Sequence, residues 1–144
     1  QAVTATAYTS LRKVSYISGK MHKFMSFPTE ALKMSASFGG GIGRMRQTCG
    51  AACGLFLLAG LESGCTEGKD REGKEANYKM VQEFAEEFKK RNGSLICAEL
   101  LGLSKSAPTP TTPEQRTAEY YKKRPCVKMV EEAARIFGEY LANR

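Results

Sequence analysis

A chain of 144 residues is long enough to bury one core and needs no second domain, so residues 1–144 read as a single helical domain. Its formal charge of +7 invites an acidic partner or nucleic acid, but no apolar run approaches the roughly 20 residues of a membrane span. With no spanning segment and no signal peptide in view, the expectation is a cytoplasmic protein that does not engage a membrane.

The charge is unevenly spread. Residues 1–46 carry seven Lys/Arg against Glu30 alone, residues 47–104 are slightly acidic, and residues 105–144 are again basic. The basic residues are scattered, with no stacking aromatic motif and no helix-turn-helix signature among them, so no nucleic-acid partner is expected.

In chain order, Val3, Ala7, Leu11 and Val14 fall at helical spacing and predict a first helix that ends before Gly19. Pro28 suits a first helical turn and opens a second helix, Pro28–Phe38, with Ala31, Leu32, Ser35 and Phe38 on one face. The glycine-rich loop Gly39–Gly43 ends it. A third helix, from about Met45 to Leu61, holds the most apolar run and is expected at the centre of the fold. Gly64–Gly73 is a polar turn containing Cys65.

The fourth helix, about Glu75–Arg91, turns Tyr78, Val81, Phe84, Ala85 and Phe88 inward and its Glu/Lys residues outward. Asn92-Gly93 stops it. Ser94 is a good cap for a short fifth helix ending near Leu101-Gly102. Residues 104–113, SKSAPTPTTP, form an irregular loop. Thr112-Pro113-Glu114-Gln115 reads as a capping box that launches two helical turns to Tyr121. Pro125 opens the last helix, Pro125–Leu141, with Val127, Val130, Ala134, Phe137 and Leu141 as its buried stripe. No stretch alternates as a strand does. The expected fold is all-α, a compact bundle of about five to seven helices with a glycine-rich loop before the central one.

Five cysteines against a single histidine, His22, form an unusual inventory. No pair has C-x-x-C spacing, so neither a zinc ribbon nor a thioredoxin motif is present. Three of the five fall at predicted helix starts: Cys49 after Arg44 and Arg46, Cys97 after the Ser94 cap, and Cys126 after Lys122-Lys123-Arg124-Pro125. A helix start offers unpaired N–H groups and a partial positive charge, which favour the thiolate and lower its pKa. Cys53 shares a helix face with Cys49 but lies in an apolar segment, where cysteine also serves as a small hydrophobe. Cys65 sits in a polar turn. The glycines Gly39, Gly40, Gly41 and Gly43 match neither a dinucleotide fingerprint nor a P-loop. They make a tight interhelical turn, or else a backbone cradle that covers a cofactor or cluster sulfur.

FGGGIGRMRQTCGAACG, NGSLICAELLG and YYKKRPCVKMVEEAARI together resemble a bacterial and archaeal family described as putative redox-active proteins, named for the pattern C…GCAxxG…C…C. The resemblance runs from about Thr29 to Leu141 and implies a helical domain whose cysteines serve redox chemistry or hold a metal or iron–sulfur centre. By position it selects Cys49, Cys97 and Cys126, the same three thiols. The order here is C-G-A-x-x-G rather than G-C-A-x-x-G, and Gln1-Ala2-Val3 resembles the residues that follow the family's first cysteine, which implies a cysteine just before Gln1.

Two chemistries stay open for the three thiolates. One is a dithiol/disulfide cycle with a redox partner protein. The other is ligation of an iron–sulfur cluster or zinc by Cys49, Cys97 and Cys126, with Cys53 a less favoured fourth ligand. The competing class is a non-catalytic helical binding module whose basic N-terminal surface meets an acidic partner. A homo-oligomer is compatible with either.

Overall fold

A computed structural model describes residues 29–104 and 106–144; the helix expected over residues 1–23, His22 and most of the basic N-terminal third lie outside them. The described residues form six α-helices and no strand: α1 Thr29–Ala36, α2 Gly50–Ser63, α3 Arg71–Asn92, α4 Cys97–Leu100, α5 Ala118–Lys123 and α6 Cys126–Ala142. None is long and apolar enough to cross a membrane. The all-α expectation holds.

Three helices make the core. α2, α3 and α6 pack against one another pairwise. Ala51, Ala52 and Ala59 keep α2 thin, so its backbone approaches both neighbours, while Leu55 and Leu58 fill the space between. Phe84 and Phe88 enter from α3; Met129, Val130, Ala133, Ile136 and Phe137 enter from α6. Phe88 and Leu55 are fully enclosed, and burial of each such side chain stabilises the fold by about 1.5–3 kcal/mol. Phe84 packs edge-on against Phe137 and Tyr140, with centroids 6.1 and 5.4 Å away.

The inward face of α3 differs from its apolar periodicity in one place. Tyr78 is exposed, and Asn77 faces α2 instead, donating to Ala59 O at 3.3 Å and Ser63 Oγ at 3.0 Å. The helix also starts a turn early, because Asp70 accepts from Gly73 N at 2.8 Å and so caps it. Gly93, at φ +91°, closes it. Near that end Arg91 ties α3 to α6: it reaches Glu87 at 2.7 Å, Glu139 at 2.6 Å and Glu132 at 3.6 Å. These hydrogen bonds hold the Glu87 and Glu139 carboxyls below the usual range.

Two other helix boundaries move. α2 begins at Gly50 rather than Met45, so Cys49 caps it from outside. α5 begins at Ala118, capped by Thr117, whose Oγ1 accepts from Tyr120 N at 3.2 Å; the Thr112 capping box launches nothing.

Replacing Phe88 with alanine removes the most deeply enclosed ring at the meeting of the three helices. Urea unfolding is expected to show a loss of about 3–5 kcal/mol; a loss below about 1 kcal/mol would contradict this packing.

Candidate functional site

The loop between α1 and α2 departs furthest from ordinary backbone. Gly40, Gly41, Ile42, Gly43 and Arg44 all have φ between +57° and +74°, and Arg46 follows at +61°. Five consecutive left-handed residues make a turn of opposite hand to an α-helix. It is closed by Ile42 N on Phe38 O at 3.2 Å, Gly43 N on Ser37 O at 2.7 Å and Arg44 N on Gly39 O at 3.2 Å. Glycine accepts this conformation freely, whereas Ile42, Arg44 and Arg46 each carry a strain of about 1–2 kcal/mol. This is the reason the helix expected from Met45 starts five residues later.

From Arg46 the chain runs antiparallel to the segment entering α4. Cys97 N donates to Gln47 O at 2.6 Å, Ala98 N to Arg46 O at 3.1 Å and Cys49 N to Leu95 O at 2.7 Å, around a bridge between Thr48 and Ile96. Cys49 and Cys97 are therefore diagonal neighbours on one side of the pairing. Ser94 prepares this geometry by accepting from Ile96 N at 2.9 Å and donating to the Glu99 carboxylate, so its capping role falls before α4 proper. Gly41 packs directly on Cys97, and a Cβ there would overlap the Cys97 Cβ. Gly50 is equally constrained, since a Cβ would lie 2.6 Å from Phe38 O. Position 50 therefore has no room for a side chain, and the thiol of C-G-A-x-x-G is carried at position 49.

Cys126 arrives from the other side as the first residue of α6, after Pro125. It lines the same cleft as Cys49 and Cys97, a cavity of about 200 Å³. Gly39, Gly40 and Gly41 form part of the wall, whereas Gly43 does not. Cys53, one turn into α2, is buried in the core and stays outside the cleft, as does Cys65 beyond the far end of α2. All five cysteines are unpaired thiols. Among the described residues no three Cys, His, Asp or Glu side chains stand together as ligands of a metal ion.

The rest of the lining was only partly visible in the sequence. Arg44, Arg46, Arg116 and Arg124 contribute to the cleft, together with Tyr120, Tyr121 and Glu114. Glu114 accepts from Arg124 at 2.5 Å and pairs with Arg44 at 3.8 Å, tying the 104–117 connection to both the left-handed turn and the start of α6. Arg124 and Arg116 lie over the Tyr120 ring, 4.7 and 5.6 Å from its centroid. Arg44 and Arg46 before Cys49 and the basic run before Cys126 were the sequence signals pointing here. The approach of Glu114 depends on contacts across the fold.

The thiol electrostatics oppose the expectation from helix starts. Burial pushes the Cys49 thiol above its ordinary value, outweighing the N–H groups of Ala51 and Ala52, and repulsion from Cys97 and Cys126 adds to it. Burial likewise raises Cys126, followed by the effect of Cys97, against the opposing pull of Arg124 and Arg116. Cys53, desolvated in the core and facing Cys49, is pushed up to about 11. A partial helix charge worth about 0.3–1 kcal/mol does not offset the removal of a thiolate from water.

Two tests follow from this geometry. Native Cys49 and Cys126 are expected to alkylate several-fold more slowly at pH 7 than in the urea-unfolded chain, with rates still climbing above the roughly 8.5 of an ordinary thiol; half-maximal rates at or below pH 7 would refute the burial argument. Separately, Gly43→Ala, in open space, should cost only the left-handed term of about 1–2 kcal/mol. Gly41→Ala should cost clearly more because of Cys97, and equal losses in thermal unfolding would show that the contact is absent.

No curated protein and no solved structure matches the chain. A family model described as putative redox-active protein (C_GCAxxG_C_C) matches residues 15–140, which take in the left-handed turn, the pairing before α4, all three cleft thiols and nearly all of the helical core. The chain belongs to that redox-active protein family.

Proposed function

We propose that the cleft carries out dithiol–disulfide exchange, with Cys126 and Cys97 as the exchanging pair and Cys49 as a supporting thiol. The observation that carries this reading is the delivery of three unpaired cysteines, from three separate segments, to one cleft lined by arginines. Cys49 and Cys97 sit on one main-chain pairing, whereas Cys126 enters the cleft from the start of a separate helix. Cys126 is less buried than Cys97, so an incoming disulfide meets Cys126 first and leaves Cys97 to resolve it.

In the forward step the Cys126 thiolate attacks one sulfur of a partner disulfide, forming a mixed disulfide and expelling one partner thiolate. Cys97, as its thiolate, then attacks the Cys126 sulfur, closing the protein disulfide and expelling the second partner thiolate. Two protein thiols are oxidised, one partner disulfide is reduced to two thiols, and the two protons lost by the cysteines end on the leaving thiolates. Burial raises the Cys126 thiol, so the cationic wall has to favour its thiolate as a partner enters. An iron–sulfur or zinc centre fits the described residues less well, because no three of their side chains converge as ligands.

The test is to purify the protein without oxygen, measure bound iron and zinc, oxidise it with a low-molecular-weight disulfide, and map linked peptides by mass spectrometry. The expected result is negligible metal and a Cys97–Cys126 link that Cys126→Ser abolishes, while Cys65 stays unlinked. Stoichiometric metal that is lost in Cys97→Ser would replace the exchange reading with a metal centre.

A further inference from the structure

The cleft contains more positive charge than its own contacts use. Arg44 and Arg124 share the single carboxylate of Glu114, and Arg46 has no ion-pair partner among the described residues. The Nε atoms of Arg44 and Arg46 are buried and have no hydrogen-bond partner among those residues. A buried guanidinium N–H left unmade is costly, and a planar guanidinium is shaped to grip a carboxylate in a two-pronged bond. Both arginines are also held at positive φ, a strain a surface arginine would have no reason to carry. Two separate observations, orphaned donors and strained backbone, thus fall on the same pair of residues. They flank the stretch that leads to Cys49 and pairs with Cys97.

We infer that the cleft's exchange partner is a small disulfide bearing carboxylates, its anionic end held by Arg44 and Arg46 while its sulfurs meet Cys126. This rests on the exchange reading above and adds the substrate class. Size agrees, because a cavity of about 200 Å³ is below the roughly 300–1,000 Å³ of drug-sized sites and admits one end of a small molecule rather than a folded surface. Tyr120, stacked under Arg116 and Arg124, gives that end an apolar wall. The carboxylate supplies the charge that Glu114 does not. Exchange itself is the two-step transfer already described: the small disulfide leaves as two thiols and the protein gains one disulfide.

The experiment compares three disulfides of similar reach on the full chain: 3,3′-dithiodipropionate, which is anionic at neutral pH, neutral hydroxyethyl disulfide and cationic cystamine. The loss of cleft thiols is followed at low and high salt. The anionic disulfide should react about tenfold faster than the neutral one, the gain of one charge-assisted contact, and the cationic one more slowly still. Added salt should shrink the ratio. Arg46→Gln should bring the anionic-to-neutral ratio close to one, and Arg46→Lys should restore part of it. Equal rates for all three disulfides, unmoved by salt, would overturn the anionic class while leaving exchange standing. Failure of every disulfide to oxidise the thiols would overturn both. The salt series needs no variant, so a misfolded Arg46→Gln chain does not weaken the test.

Discussion

Three main-chain hydrogen bonds between Arg46–Cys49 and Leu95–Ala98 decide where everything at the cleft stands. They set the start of α2, place Cys97 beneath Gly41, and give the left-handed turn a fixed place to end. Each such bond contributes about 0.5–1.5 kcal/mol net, and strain at Ile42, Arg44 and Arg46 is about 1–2 kcal/mol apiece. The pairing alone does not offset that strain. The turn's own hydrogen bonds are needed too, as is the packing of α2 against α3 and α6, which holds both ends of the loop in place. The core is therefore part of the site's geometry.

The helices were legible because their signals are local. The helices α3 and α6, the stop at Gly93 and the break at Gly39–Gly43 all survive into the structure, although Tyr78 and Val127, expected on the inward faces, are exposed. What failed was where distant partners intervene. Met45–Thr48 has a helical pattern but is taken up by pairing with the segment before α4, and nothing near Arg44 or Arg46 announces a left-handed residue other than glycine. The Thr112 capping box is sound locally, yet Glu114 is engaged by Arg124 and Arg44, and the helix waits for Thr117. The three cleft thiols were found from spacing and cap position. The electrostatics of Cys49 and Cys126 were not, because burial is a property of the folded chain and outweighs the helix charge that the sequence shows.

Membership of a redox-active family and the cleft's construction support each other without being the same claim. The family match spans residues 15–140 and so takes in the turn and the cleft as well as the cysteines. The arginine wall and the glycine that seats Cys97 are read from the packing itself. Cys49 and Cys126, raised by burial, stand beside Arg44 and Arg46, whose Nε atoms have no partner among the described residues.

One helical turn, about 5.4 Å, separates Cys49 at the cleft from Cys53 in the core. The neighbouring sulfurs live in different solvents. Cys53 is sealed by the same contacts that anchor the turn, so reagent reaches it only when α2 separates from its neighbours. The molecule thereby carries its own gauge of breathing: labelling at Cys53 reports how often the scaffold opens, while labelling at Cys49 and Cys126 reports the cleft of the folded chain.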